Sequence, residues 1–437
     1  MSNFKSEVVK RVAAGMGANA FAQMLTIGIQ LASLPIFLRY WDISRYGLWL
    51  MICAVPSYFA MADIGMVTAA GNKMTMAIGR GDSNEANSIF QSALVFMLIT
   101  CGTLALIAIP TVLTLPLGIL RSFDQRAALC ALILGVLFSF FGGLSEAIFR
   151  ATGRYGLGTM LANLVRLAEW FGSIAGLILF GSLSSVALGG LSARLVGLAV
   201  LIGLSADGKS GIKWHYSCAR REEVRAMTKP ALSLMLFPLS NALSLQGMTL
   251  LAGYELGPVI LVIFNTYRTL ARTAVQVTGV FSLSLQPEFS RFFGKAGAEG
   301  VVLMYRRAAV LGIILAVGFG ILLYFSGPLL LRLWTHGKIE FQRPLMLLML
   351  TYAAVSGAWY VPRVLLVATN EHSQLALWSL AVAAASLVVA GVLCPQWNLE
   401  GIVFAMMLSE IALAFICARL VQKIVFVPKL RMASDPA

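Results

Sequence analysis

Charge is scarce in this sequence. Only 12% of its 437 residues are Asp, Glu, Lys or Arg, against 59% that are hydrophobic, whereas a soluble chain carries roughly 25% charged and 45–50% apolar residues. So little polar surface cannot cover a soluble body of this size, which excludes a water-soluble enzyme. Disorder is excluded too, because it requires low hydrophobicity. The three histidines (His215, His336 and His372) fall in expected loops, so no histidine proton relay lies within the membrane. The six cysteines are scattered without a CxxC pair, and five lie in or near apolar runs, where cysteine acts as a small hydrophobe. Neither a disulfide framework nor a metal site is expected. No apolar run holds a serine–histidine–carboxylate set, and the outward loops, at most about 15 residues long, are too short for a catalytic domain. The expectation is a protein that is not an enzyme and carries no cofactor, with a coupling ion (proton or sodium) left open.

Nucleotide chemistry is excluded despite one motif. Gly203-Leu204-Ser205-Ala206-Asp207-Gly208-Lys209-Ser210 fits the phosphate-loop pattern, but that loop needs a strand before it and a long helix after it. Here an apolar span precedes it and only a short basic segment follows. No nucleotide and no nucleic acid is expected as a partner, and the motif reads as a glycine-ended helix with a basic anchor.

What is present is a series of apolar runs, each near the 20 or so residues that a helical span requires. They lie near 12–38, 46–70, 89–115, 125–149, 156–180, 184–206, 230–254, 259–286, 303–333, 344–368, 373–394 and 400–426. Lys5, Lys10 and Arg11 precede an apolar stretch reaching Leu38, longer than the core of about 7–15 residues in a signal peptide, so the first span is expected to stay. The fold class is thus an all-α integral membrane protein of about twelve spans. Twelve spans put both termini on one side. Of 33 basic residues, 20 fall in loops on that side and 7 (Arg39, Arg45, Arg121, Arg126, Arg332, Lys338 and Arg343) in the opposite loops. The bias places both termini in the cytoplasm, and the net charge of +14 reads as topology and headgroup contact.

The basic segment 207–229 divides the chain into six-span lobes, 1–206 and 230–437. An internal match supports duplication. Ala151-Thr152-Gly153-Arg154-Tyr155 after span 4 parallels Ala368-Thr369-Asn370-Glu371-His372 after span 10, and Trp41-Asp42-Ile43 parallels Tyr254-Glu255-Leu256. Matching turns point to parallel repeats about an axis along the membrane normal, with a site between the lobes.

Charges inside spans are costly, about 2.5–3.5 kcal/mol at the centre for arginine, and face a cavity or a partner. They are Arg166, Arg194, Arg268, Arg272, Arg363 and Arg419, with the acids Asp63, Glu146, Glu169 and Glu410. Span 8 is the most specific. Asn265, Arg268, Arg272 and Gln276 recur at three and four residues, which lines one helix face. From Val259, Arg268 lies about 14 Å and Arg272 about 20 Å into a core about 30 Å thick. Two adjacent cations without an acid on their own face read as an anion-binding wall, against the alternative of pairing with an acid on a neighbouring helix. Span 1 carries a second polar stripe, Asn19, Gln23, Gln30 and Ser33, that either lines a cavity or glues helices together. Arg166 and Glu169, at i and i+3, are expected to pair locally, and Glu146 with Arg150 at the end of span 4. Arg363 is expected to snorkel, while Arg194 and Glu410 are assigned to no face.

The stretch Leu34-Pro35-Ile36-Phe37-Leu38-Arg39-Tyr40-Trp41-Asp42-Ile43-Ser44-Arg45-Tyr46-Gly47-Leu48-Trp49 resembles the first-loop signature of polysaccharide flippases. Tyr58-Phe59-Ala60-Met61-Ala62-Asp63-Ile64-Gly65-Met66 is similar to their Asp-Leu-Gly pattern after span 2. These are the Wzx-type O-antigen, lipopolysaccharide and capsule flippases of the multidrug/oligosaccharidyl-lipid/polysaccharide (MOP) exporter superfamily. The resemblance implies a bacterial inner-membrane protein that flips an undecaprenyl-pyrophosphate-linked oligosaccharide from the inner to the outer leaflet. It also implies alternating access around a cationic central cavity that holds Arg268, Arg272, Asn265, Gln276, Asn19, Gln23, Gln30, Asp63 and Arg166. The partners it implies are the lipid-linked oligosaccharide, membrane lipids and other polysaccharide-assembly proteins. Span 7 departs from many relatives, which carry a charge near Ser244-Leu245-Gln246-Gly247-Met248. A peptidoglycan-precursor flippase and a multidrug or cation exporter of the same fold are the alternatives; the last would require acids at mid-depth rather than paired arginines.

Overall fold

A chain in lipid must satisfy its backbone N–H and C=O groups internally, which turns long apolar runs into helices. The computed structural model describes residues 2–114, 120–206, 211–369 and 373–425, and their regular structure is entirely helical. Among the described residues, ten helical stretches are long and apolar enough to cross a membrane. Two of them, Met235–Leu283 and Ser373–Lys423, hold 49 and 51 residues, roughly 75 Å of helix against a core of about 30 Å. Each is broken by one residue off the helical path, Gly257 (φ 83°, ψ 170°) and Asn398 (φ 48°, ψ −131°). Counted as two passes each, they bring the total to the twelve spans read from hydropathy.

The helices fall into two compact units, Met1–Asp42 with Met51–Met235 and Ile43–Leu50 with Leu236–Ala437. The first unit contains α1 (Ser2–Tyr40), the end of α2 (Ile43–Ala54) from Met51, α3 (Pro56–Phe59), α4 (Met66–Gly79), α5 (Ser83–Thr114), α6 (Phe123–Ala151), α7 (Tyr155–Phe180), α8 (Leu183–Ser205) and α9 (Arg221–Ala242) up to Met235. The second span is not the single helix expected over 46–70. It is cut at Pro56, which lacks an N–H, and again at Ile64 and Gly65, both at positive φ (50° and 76°). Capping fixes the other ends. Ser122 and Gln125 form a reciprocal capping box that starts α6. Asp124 accepts from the Leu183 and Ser184 amides (3.1 and 2.9 Å), tying the start of α8 to that of α6.

α7 and α8 approach so closely that only glycine fits. A Cβ on Gly172 would sit 2.3 Å from the Gly189 oxygen, and one on Gly176 would sit 2.1 Å from the Ser185 oxygen. Small residues at such spacing let backbones meet in lipid, where packing rather than hydrophobicity holds helices together. Gly172→Val is therefore expected to cost at least about 1–3 kcal/mol through overpacking, read as a lower Tm and a smaller monodisperse fraction in detergent. Gly203→Ala on α8 meets open space and should be neutral. Equal stability of the two variants would refute the contact.

The second unit contains the start of α2 (its residues up to Leu50), the remainder of α9, α10 (Met248–Ser284), α11 (Gln286–Trp334), α12 (Arg343–Ala358), α13 (Tyr360–Ala368) and α14 (Ser373–Val425). Its core gathers Phe289, Val301, Trp359, Val364, Leu375 and Cys417, among others. Tyr267, fully buried, holds the loop before α12. Its hydroxyl donates to the Glu340 oxygen (2.9 Å) and accepts from the Gln342 amide (2.6 Å). The tenth span breaks at Trp359, so that Pro362 falls in the first turn of α13, where its missing N–H is harmless.

The proposed internal repeat has a structural counterpart in its first pair of turns. α6 ends at Ala151 and α13 at Ala368, and the next residue in each case, Thr152 or Thr369, turns its hydroxyl back onto the carbonyls three and four residues earlier. Asn370, Glu371 and His372 lie outside the described residues. The second pair differs. Trp41 donates to the Gly181 oxygen (2.6 Å), whereas Tyr254 is exposed.

Candidate functional site

The polar face of the eighth span forms as its spacing dictates, and the structure divides the work of its two arginines. Arg268 is buried and already held by the protein. Its Nη1 donates to the Leu245 oxygen (2.9 Å), and its Nη2 donates to Thr249 Oγ1 and Asn265 Oδ1 (both 2.8 Å). The guanidinium also lies over the Phe264 ring, 4.6 Å from its centre. Leu245 belongs to a π-helical turn, Leu243–Gly247. A π turn shifts the hydrogen-bond register and frees carbonyls, and Arg268 occupies one of them. Thr249 donates to the same Leu245 oxygen (2.7 Å). The span 7 segment without its own charge is thus served by a charge from span 8.

Arg272, one turn further along, is half-buried and makes neither a hydrogen bond nor an ion pair among the described residues. Counting from Pro258, it lies about 21 Å along its helix at 1.5 Å per residue. Glu410 on α14 and Tyr352 on α12 lie within its electrostatic reach. Glu410 accepts from Trp359 Nε1 (2.7 Å) and is also hydrogen-bonded by Ser356, without closing an ion pair to Arg272 or Arg363. Nor does Arg363 snorkel free of partners. Its guanidinium lies 5.4–5.9 Å from the ring centres of Phe237, Trp359 and Tyr360, so cation–π attraction holds it while its N–H donors stay uncommitted. The second unit thus sets Arg272 and Arg363 about one carboxylate, with Arg268 beside Arg272.

Two expected pairings in the first unit are corrected. Glu169 bonds Arg194, not Arg166, because α7 packs along α8 and turns Glu169 toward it. Arg194 Nη1 also donates to the Gly135 oxygen (2.7 Å), binding α8 to α6. Arg166 is exposed and donates instead to Thr26 Oγ1 on α1 (2.8 Å). Glu146 and Arg150 form no ion pair; Arg150 lies against Gly71 of α4. Beside the Glu169–Arg194 pair is a cavity of ≈ 180 Å³ lined also by Cys53, Ser57 and Ser173. Asp63 caps a helix, accepting from the Val67 amide (2.8 Å) at the start of α4. On the first span, Gln23 and Gln30 are exposed and Ser33 accepts from Trp170 Nε1 (3.0 Å). Asn19 lies in α1, and Gln276 is half-buried on α10. Helix α8, not a strand, precedes the phosphate-loop motif; Asp207, Gly208, Lys209 and Ser210 lie outside the described residues.

No protein-family model and no curated protein sequence matches the chain. Solved structures do. An inward-facing multidrug resistance MATE family transporter of the MOP superfamily aligns with TM-score 0.75 at 12% identity, over 95% of this chain and 96% of its own. The MATE multidrug transporter DinF-BH, solved as a complex, aligns with TM-score 0.65 at 17% identity, over 95% and 96%. A MOP superfamily transporter from Pyrococcus furiosus, described as having a binding pocket of reversed polarity that suggests a different function, aligns with TM-score 0.57 at 13% identity, over 96% and 95%. The chain is a multi-pass helical membrane protein with the fold of MOP superfamily transporters. At these identities the likeness speaks for the fold alone, and any function must be argued from the site.

Proposed function

We propose that the protein is a flippase for an anionic lipid-linked sugar, an undecaprenyl-pyrophosphate-linked oligosaccharide carried from the inner to the outer leaflet by alternating access. The observation that carries this reading is the excess of cation over acid in the second unit: Arg272 and Arg363 face one carboxylate, Glu410, a third cation, Arg268, lies beside Arg272, and Arg272 has no hydrogen-bond partner among the described residues. Surplus positive charge within a membrane is costly, and an anionic cargo offsets it. A guanidinium fork matches phosphate oxygens in plane and number. A cationic drug would meet the same surplus as repulsion. The Pyrococcus furiosus neighbour, with its reversed pocket polarity, supports the idea that this fold accommodates such a site. A peptidoglycan precursor carries the same pyrophosphate and would use the same residues.

The second reading, a multidrug exporter, is favoured by the descriptions of two neighbours as multidrug transporters. Proteoliposomes discriminate between the two. The purified protein should move a fluorescent polyprenyl-pyrophosphate oligosaccharide across the bilayer well above protein-free vesicles, and should not accumulate a lipophilic cationic dye. Dye uptake without glycolipid movement would reverse the assignment. We place the protein in the bacterial cytoplasmic membrane with both termini inside. Cys218, exposed in the segment after α8, should then react with an impermeant maleimide in inverted vesicles and not in intact cells; labelling in intact cells would invert the topology.

A further inference from the structure

Residues 213–220, a strap running into α9, are held in place by side chains of α5. Asn87 Oδ1 accepts from the Lys213 amide (2.9 Å), and Gln91 donates to the Lys213 oxygen (3.3 Å) while accepting from the Cys218 amide (2.6 Å). Ser88 donates to the Cys218 oxygen (2.9 Å) and Ser92 accepts from the Arg220 amide (2.8 Å). Trp214 packs edge-on against Phe90 and donates to Ser205 Oγ (3.1 Å). Ser88, Gln91 and Ser92 are buried, and buried polar groups left without partners cost about 1–3 kcal/mol each. The strap therefore satisfies α5, and α5 fixes the strap.

This clamp consumes the strap's backbone and leaves its charges outward. Lys213, Arg220, Arg221 and Arg225 are exposed and form no ion pair among the described residues. Of the two nearby acids, Glu223 is taken by Lys73 (3.4 Å), leaving Glu222. Tyr216 is 68% exposed and stacks on His215 at 4.7 Å. The strap joins the end of one membrane-crossing helix to the start of the next, beside the first turns of a third.

We propose that this strap is a preformed binding surface for the headgroups of anionic phospholipids in the leaflet on its own side of the membrane. Four exposed cations, against one acid left unpaired nearby (Glu222), sit on a stretch clamped to the first turns of a membrane-crossing helix, and the field of a headgroup layer reaches about 8–10 Å, its Debye length. An exposed tyrosine at that level supplies the amphipathic ring that membrane interfaces favour. An acidic protein or a soluble polyphosphate would not call for that ring or for a location beside the first turns of a membrane-crossing helix. The inference is independent of what the protein transports.

The test places a donor dye on Cys218 of the full-length protein in mixed detergent–lipid micelles and reads energy transfer to acyl-labelled phosphatidylglycerol or phosphatidylcholine. Wild type should prefer phosphatidylglycerol by about tenfold or more, given roughly 1 kcal/mol per basic residue near such a surface. The variant Lys213→Gln/Arg220→Gln/Arg221→Gln/Arg225→Gln should lose that preference, and Arg332→Gln/Arg343→Gln in the opposite loops should keep it. If the fourfold variant does not fold, the wild type still decides the matter. Raising salt from 0.1 to 1 M shortens the Debye length from about 10 to about 3 Å, and the preference should collapse. A preference that survives in the variant or in high salt, or that falls equally in the opposite-loop variant, overturns the proposal, as does equal transfer to both lipids in wild type.

Discussion

Arg272→Ala should reduce transport at least tenfold at unchanged membrane abundance. Arg272 makes no hydrogen bond or ion pair among the described residues, so its loss removes no internal support there. If its guanidinium holds a phosphate group, each charged hydrogen bond lost is worth about 1.5–3 kcal/mol, and 1.4 kcal/mol is a factor of ten. Arg272→Lys keeps the charge and loses the planar fork, so partial activity should return. Arg268→Ala should behave differently. It strips three hydrogen bonds from the junction of spans 7 and 8, including one to the π turn, and should lower abundance and Tm as well as transport. Lysine cannot reach three separate acceptors in the arginine geometry and should not rescue it. The measurement is glycolipid movement in proteoliposomes, normalised to folded protein. Full activity of the Arg272→Ala variant would remove the anion-site proposal, since no other function is assigned to that side chain.

The second large effect is on folding. Removing Arg194 leaves Glu169 facing the cavity beside it without its cation, and also frees the Gly135 carbonyl. Breaking one side of a buried pair costs about 3–5 kcal/mol. With 20% of Arg194 and 27% of Glu169 still exposed, a loss of about 2–4 kcal/mol is expected on the same basis. Arg194→Ala should therefore show a Tm several degrees lower and poor yield of monodisperse protein. Glu169→Gln/Arg194→Gln, which neutralises both partners together, should recover most of the loss. Transport by that double variant separates the roles: near-normal movement assigns the pair to holding α6, α7 and α8 together. An Arg194→Ala protein as stable as wild type would contradict the pairing itself.

Hydropathy is a sum over neighbouring residues, so the spans and their number were legible in the chain alone. The seventh expected span reached Tyr254 and the eighth began at Val259, and the break falls at Gly257. The i, i+3 bond from Arg268 to Asn265 is likewise a local matter that spacing on one helix predicts, as is the presence of costly cations at depth. Azimuth is not local. Which way a helix turns its polar residues depends on what packs against it, and apolar composition is nearly uniform around these spans. Hence Glu169 found Arg194 on α8 in place of Arg166 on its own helix, because glycines at 172, 176 and 189 bring α7 and α8 into contact. Likewise the π turn at Leu243–Gly247 could not be read from a segment with no charge of its own, because the group that occupies its free carbonyl comes from residue 268. Composition and hydropathy along the chain already set about twelve membrane crossings and arginines within them. Only the packing of helices decided which arginine is spent on the fold and which makes no hydrogen bond among the described residues, since a hydrogen bond depends on the distance between two particular atoms and hydropathy does not.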